Sequence, residues 1–72
     1  MGKKYKYKGR VLFVRRYSAA NSAAWATFFV DRMGIERAYT TDGLTLGHPT
    51  AEEAQAELDA FAAAQGLKEA RK

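Results

Sequence analysis

The sequence predicts an α+β fold, a three-stranded antiparallel sheet (β-β-β-α) with one C-terminal helix packed on one face. Three segments rich in aromatic and β-branched residues are separated by turn signals, which indicates strands. The last of the long segments, residues 51–65, consists almost entirely of strong helix formers, which indicates a helix. Seventy-two residues are enough for one domain only. We therefore expect a single domain over residues 1–67 and a flexible basic tail over residues 68–72.

The first strand is predicted from a period-two alternation over residues 4–17. One side reads Tyr5, Tyr7, Gly9, Val11, Phe13, Arg15 and Tyr17, and the other reads Lys4, Lys6, Lys8, Arg10, Leu12, Val14 and Arg16. Gly9 is interpreted as a bulge or bend inside this strand. Residues 18–24 are small and polar without periodicity, and they are interpreted as a loop.

The second and third strands are predicted at residues 25–31 and 35–40, joined by a short turn. Gly34 is well placed to take the positive-φ position of that hairpin. The residues that follow, up to Pro49, are interpreted as a connection. Whether residues 44–46 add a fourth strand is left open by the pattern.

The helix has the clearest boundaries in the sequence. Thr50 and Glu53 form a capping box, in which each side chain bonds the other residue's backbone N–H. Gly66 is the expected stop after the last turn, with Leu67 placed to fold back on it. The side predicted to face the sheet carries Ala51, Ala54, Leu58, Phe61, Ala62 and Gln65. Since most of these residues are alanines, the helix is expected to lie close to the sheet.

The charge is divided unevenly along the chain. The net charge is +4, with seven basic residues and no acid before residue 31, and a net charge of −5 over residues 31–66. One helix covers only one face of a sheet, so the other face is expected to keep aromatic and aliphatic side chains rimmed by cations. Exposed apolar surface of this kind usually marks a contact site.

This combination predicts a non-enzymatic module that binds nucleic acid, DNA or RNA, through the uncovered face of the sheet. Lysine and arginine hold phosphates, and aromatic rings stack on unpaired bases. The phosphate-binding candidates are Lys4, Lys6, Lys8, Arg10, Arg15 and Arg16, and the stacking candidates are Tyr5, Tyr7 and Trp25. The structural alternative is a solvated edge strand whose lysines discourage aggregation, with Trp25 as a packing residue.

Several motifs also resemble the plant Apetala/ethylene-response-factor type of DNA-binding domain. These are Tyr7-Lys8-Gly9, Trp25-Ala26, Leu46-Gly47, the run from Thr50 to Ala54, and Asp59. The resemblance spans about residues 7–62 and implies a three-stranded sheet with one helix, whose uncovered face contacts DNA. It singles out Lys8 and Trp25. Integrase arm-binding domains share a similar layout.

Other classes of function are disfavoured by what the sequence contains. There is no cysteine and only one histidine, so neither a structural zinc site nor a thiol nucleophile is expected. Ser18, Ser22 and the threonines show no base-and-orienter pattern, and His48 stands alone, so no catalytic residue and no cofactor are predicted. No apolar run is long enough to cross a membrane or serve as a signal peptide, which predicts a cytoplasmic protein. The alternative function is protein interaction or homodimerisation, through the exposed strand edge or the aromatic face.

Overall fold

The computed structural model describes residues 2–19, 22–41 and 43–70. The chain forms a four-stranded antiparallel sheet in the order β1-β2-β3-β4, followed by one helix. The elements are β1 (Tyr5–Tyr7), β2 (Arg10–Ala19), β3 (Ser22–Val30), β4 (Glu36–Ala38) and α1 (Ala51–Gln65). The α+β class, with an antiparallel sheet and one helix, is confirmed. The predicted number of three strands is wrong, because the first predicted strand is in fact a hairpin.

Lys8 and Gly9 form the two-residue turn of this hairpin. Both have positive φ, 52° for Lys8 and 78° for Gly9. Positive φ at both central positions defines the type I′ turn, whose twist matches that of the strands it joins. Tyr7 therefore pairs with Arg10, and Tyr5 pairs with Leu12.

The turn changes which side chains share a face. In one continuous strand Tyr7 and Arg10 would point to opposite sides, but cross-strand partners in a hairpin point to the same side. Tyr5 and Tyr7 consequently lie with Leu12 and Val14, against the helix, rather than with Phe13. The prediction of which side chains share a face is thus correct for the residues after Gly9. For the residues before Gly9 the two faces are exchanged.

The strands β2 and β3 form the long central ribbon of the sheet. They pair continuously from Leu12 with Phe29 to Ala19 with Ser22. The loop expected over residues 18–24 is therefore wrong for residues 18–19 and 22–24, which belong to the strands; residues 20–21 lie outside the described part. Small and polar residues tolerate an extended ribbon when cross-strand hydrogen bonds satisfy the backbone.

The second hairpin follows the prediction closely, with Gly34 at φ 81°. The strand β4 is only three residues long, and Phe29 pairs with Arg37 within it. Further along, the backbone of His48 exchanges two hydrogen bonds with that of Trp25. Residues 44–46 do not add a strand: Leu44 makes one isolated bridge to Thr41, and its side chain is fully buried.

The helix α1 has the predicted boundaries. The N–H of Glu53 donates to the Thr50 hydroxyl at 3.2 Å. At the other end Gly66 adopts the left-handed conformation, and Leu67 N–H donates to the carbonyl of Ala62. The N–H groups of Gly66 and Leu67 thus satisfy backbone carbonyls of the last helical turn, which have no partner within the helix. Leu58 and Phe61 pack with Leu12, Phe29 and Leu44 into one core.

The residues after the helix return to the first strand. Lys6 N–H donates to the carbonyl of Lys68 at 3.1 Å, and Ala70 N–H donates to the carbonyl of Lys4. Tyr5 forms a bridge with Glu69 between these bonds. Residues 68–70 of the expected flexible tail are therefore hydrogen-bonded along the outer edge of β1. Residues 71–72 of that tail lie outside the described part.

Candidate nucleic-acid interface

We call the sheet surface opposite α1 the open face. On β2 it presents Val11, Phe13, Arg15 and Tyr17, because successive residues of a strand alternate between faces and Leu12 and Val14 pack toward the helix. Their cross-strand partners on β3 include Phe28, Ala26 and Ala24. Val11 and Val30 are exposed, whereas Phe13 and Tyr17 are half-buried.

Cations lie directly over the aromatic rings of the open face. The Lys4 ammonium is 5.7 Å from the centre of the Phe13 ring, and the Arg15 guanidinium is 5.2 Å from that of Phe28. The Tyr17 ring packs against Phe28 at a centroid distance of 5.8 Å. A cation on a ring face uses none of its N–H donors for that contact. Lys4 therefore places ammonium donors beside the half-buried Phe13 ring, whereas Arg15 already donates to the Arg16 carbonyl and to Glu36, and the Phe28 ring is buried.

Two further lysines extend this surface toward the edge of the sheet. Lys6 lies on the open face opposite Val11, since its neighbour Tyr5 points to the helix. Lys68 shares that side, because the adjacent Glu69 pairs with Tyr5. Both lysines are exposed. A row of cations thus runs across the first two strands and the C-terminal segment.

Only one carboxylate accompanies these cations on the described strands of the open face. Glu36 of β4 accepts a bond from Arg15 Nη1 at 2.5 Å, with both side chains nearly half exposed. An exposed pair of this kind contributes little to stability. The acids of the chain lie mainly elsewhere: α1 carries Glu52, Glu53, Glu57 and Asp59 and no basic residue. The open face therefore carries mainly positive charge and the helix carries only negative charge, although Arg10, Arg16 and Arg37 also lie on the helix side of the sheet.

Tyr5 does not belong to the open face. Its ring is buried, with 8% of the residue exposed, and its hydroxyl donates to Asp59 Oδ1 on the helix at 2.7 Å. This hydrogen bond to a carboxylate, together with burial and the negative charges of Asp59 and Glu69, raises the pKa of Tyr5 to about 12. Tyr5 acts as a link between β1 and α1, which leaves no ring face for a base.

Tyr7 and Trp25 also lie on the helix side of the sheet. Tyr7 makes an edge-to-face contact with Phe61 of the helix at 5.5 Å between centroids. Trp25 pairs across the ribbon with Arg16 and is half-buried beside the start of α1. Of the three predicted stacking residues, none joins the cations of the open face.

The predicted phosphate-binding residues divide into three groups. Lys4, Lys6 and Arg15 are brought together on the open face. Arg10 and Arg16 project on the helix side, where the Arg10 guanidinium lies 4.6 Å from the centre of the Phe29 ring. Lys8 occupies the hairpin turn.

The turn end of the sheet carries its own cluster of charge. A cleft of about 640 Å³ lies between the two hairpin turns, lined by Lys8, Gly9, Arg10, Val30, Asp31, Arg32 and Met33. Asp31 accepts a hydrogen bond from Arg37 Nε at 2.5 Å. This bond, with N–H donors from Ile35 and Met33, lowers the pKa of Asp31 below its ordinary value. The Asp31 carboxylate thus stabilises the turn between β3 and β4.

His48 has a structural partner. Its Nε2 lies 2.8 Å from Glu57 Oε1, and both side chains are about one-fifth exposed. Thr45 donates its N–H and its hydroxyl to the same carboxylate. Burial raises the pKa of Glu57, but these hydrogen bonds and the His48 charge outweigh it, so that the pKa is lowered. The group fastens the connection after β4 to the helix.

The described residues lack the features of two other kinds of site. No group of three or more histidine, aspartate or glutamate side chains in this part of the chain is arranged to hold a metal ion. The single described helix is neither long nor apolar enough to span a bilayer.

Three residues of the open face were not among the sequence candidates. Phe13 and Tyr17 belong to the predicted alternation, but the stacking role was assigned to Tyr5 and Tyr7, which the unpredicted hairpin turns toward the helix. Gly9 between two alternating runs was the only local signal for that hairpin, and it is weak because asparagine, aspartate or glycine usually stands where Lys8 does. Nothing in the neighbouring sequence indicates that Lys68 lies on the open face, because its position depends on pairing with a strand at the other end of the sequence.

No protein-family model matches the chain, and no curated protein or solved structure matches it either. Functional inference therefore depends on the chemistry of the surfaces described above.

Proposed function

We propose that this protein is a non-enzymatic module that binds nucleic acid through the open face of its sheet. The observation that supports the proposal most strongly is the concentration of positive charge on the open face, opposite an acidic helix. Four cations, Lys4, Lys6, Arg15 and Lys68, lie on the open face, two of them over its rings, with Glu36 as the one accompanying acid on the described strands. The helix on the opposite side carries four acids, Glu52, Glu53, Glu57 and Asp59, and no basic residue.

A polyanion approaching this molecule is attracted more strongly to the open face than to the side that carries the acidic helix. Such a field orients the encounter before any contact is made. Phosphate groups then bind the ammonium and guanidinium groups and release condensed counterions, which supplies affinity without sequence preference. Phe13 and Tyr17 add apolar contact to sugars or bases. Lys8, Arg10 and Arg16 contribute to the general field, because they lie at the margins or on the helix side.

The test is a fluorescence-anisotropy titration with single-stranded and duplex oligonucleotides over a series of salt concentrations. We expect the association constant to fall as the salt concentration rises. A plot of its logarithm against the logarithm of the salt concentration should have a slope near −3 for about four phosphate contacts. The double substitution Lys6→Gln/Lys68→Gln should reduce the magnitude of that slope by about two. Its matched control is Arg10→Gln/Arg32→Gln, which removes the same charge from the turn end and should change the slope far less.

Two results would remove the proposal. One is the absence of binding at tens of micromolar protein in low salt. The other is an equal effect of the two double substitutions, because binding would then follow net charge and not the open face.

A second candidate function is self-association, favoured by the same distribution of charge. The basic open face of one copy complements the acidic helix of another, in a head-to-tail contact. Sedimentation velocity without nucleic acid distinguishes this function. A species larger than the monomer at low salt, shifted back to monomer by Lys6→Gln/Lys68→Gln, would support it.

A further inference from the structure

A second cleft opens where β1 ends and the chain before it crosses to the helix. The strand β1 pairs with β2 only over Arg10–Leu12, so β2 has no neighbouring strand beyond that point on this side. Residues 2–4 bound the space instead, held to α1 by a hydrogen bond from Gln55 to the carbonyl of Lys3. The cleft measures about 570 Å³ and is lined by Gly2, Lys3, Lys4, Phe13, Val14, Trp25, Ala51, Glu52 and Gln55.

The walls of this cleft combine an aromatic surface with cations. Trp25, Phe13 and Val14 supply apolar surface from the sheet, and Lys3 and Lys4 supply positive charge from the other side. The volume lies within the range of small-ligand pockets, which are typically apolar with a few polar groups. Indole is a large and sequence-tolerant platform for a nucleobase. Glu52 lines the helix side of the cleft, so a phosphate would be directed toward the lysines.

The cleft is also continuous with the open face. Lys4 lines the cleft and places its ammonium over Phe13 of the open face. A nucleic-acid strand lying across the cations of the open face therefore reaches the mouth of the cleft at Lys4. A base in a duplex is already stacked on both sides and paired, and it cannot enter without being unpaired.

We propose that the cleft takes one unpaired nucleobase stacked on Trp25, with its phosphate at Lys3 and Lys4, so that the preferred ligand is single-stranded. This inference rests on the proposed function, since the open face must first hold the strand. Trp25 lies outside the open face, but in this proposal it contacts the ligand through the cleft.

Trp25 is the only tryptophan in the sequence, so intrinsic fluorescence excited at the indole reports on this cleft alone. The wild-type protein is titrated with three probes of equal length: a single-stranded oligonucleotide, its abasic counterpart and the corresponding duplex. We expect the single strand to quench the indole emission, while the abasic strand and the duplex leave it nearly unchanged. Affinity for the single strand should exceed that for the abasic strand by about tenfold, as expected for loss of one stacked base.

Substitutions locate the effect. Trp25→Leu should weaken single-strand binding by about tenfold in an anisotropy assay and leave binding of the abasic strand unchanged. Trp25→Phe keeps a ring and should retain most of the affinity, which separates stacking from damage to the fold. Lys3→Gln should weaken binding more than Arg32→Gln, its control at the turn end.

The outcomes distinguish this inference from the proposed function. Equal affinity for the three probes with unchanged indole emission, while Lys6→Gln/Lys68→Gln still weakens binding, would overturn the cleft and leave the open face intact. Failure of all three probes to bind would overturn both.

Discussion

Removing the Tyr5 hydroxyl tests the corrected position of the first strand. Tyr5→Phe keeps the buried ring and deletes the O–H that donates to Asp59 Oδ1. Asp59 retains a second donor, Gln55 Nε2 at 2.9 Å, so the carboxylate is not left without a partner. Hydrogen bonds to charged groups contribute about 1.5–3 kcal/mol. Because of the remaining donor, we expect a loss of about 1.5 kcal/mol in the free energy of unfolding.

Urea denaturation measures this loss, and thermal denaturation should show a Tm lower by roughly 6–12 °C for a domain of this size. Tyr17→Phe is the matched control, because Tyr17 lies on the open face and packs its ring on Phe28. That substitution should change the unfolding free energy by less than about 0.5 kcal/mol.

The pH dependence gives an independent reading of the same contact. The pKa of Tyr5 is about 12 in the folded protein, above its ordinary value of 10.0. Between these values the unfolded chain releases the Tyr5 proton while the folded chain keeps it, so stability falls as pH rises. The contribution is complete below pH 10 and is lost toward pH 12. The stability difference between wild type and Tyr5→Phe should therefore shrink over this interval.

If Tyr5→Phe has the same free energy of unfolding as the wild type at every pH, the Tyr5 hydroxyl does not bond to Asp59. Tyr5 would then project into solvent, as one continuous first strand requires.

Three further substitutions test other parts of the structure. Thr27→Val should stabilise the protein by about 1 kcal/mol, because the buried Thr27 hydroxyl has no hydrogen-bond partner within the described ranges; a loss of stability in urea would mean that the hydroxyl is bonded. Lys8→Asn should raise the unfolding free energy by about 0.5 kcal/mol, since asparagine tolerates positive φ at a type I′ turn better than lysine does. A decrease would contradict the turn assignment. Glu57→Gln should lower the free energy of unfolding near neutral pH and make that free energy depend less on pH in acid. The reason is that the lowered pKa of Glu57 contributes stability that is present above pH 4.5 and disappears as pH falls further. Parallel acid curves for variant and wild type would show that Thr45 and His48 do not hold the ionised carboxylate.

The parts of the fold that could be predicted are those with local causes. The helix begins at a threonine whose hydroxyl caps Glu53 and ends at a glycine in the left-handed conformation. Gly34 likewise identifies its hairpin. Each of these features is written in a few adjacent residues and does not depend on distant contacts.

The first strand was mispredicted because alternation survives a two-residue turn. The pattern of polar and apolar residues continues through Lys8-Gly9, yet the two halves lie side by side. Lysine is also an uncommon choice for the positive-φ position of such a turn. The error placed Tyr5 and Tyr7 on the same side as Phe13 and Tyr17, although only Phe13 and Tyr17 lie on the open face.

Three of the six predicted phosphate-binding residues, Lys4, Lys6 and Arg15, share the open face. The prediction of one continuous strand placed Lys4 and Lys6 on the opposite face from Arg15. The hairpin turn reverses the first strand and brings both lysines to the face of Arg15. Lys68 could not be inferred, because its pairing with β1 has no counterpart in local sequence.

The pairing of residues 68–70 with β1 has a consequence for how the chain is made. The first strand emerges from the ribosome early, but the partner for its outer backbone groups is synthesised only after the entire helix. Until then the edge at Lys4 and Lys6 is open to other chains, and its lysines provide the main electrostatic protection. The same cations that we assign to ligand capture would thus guard the nascent polypeptide against premature strand pairing.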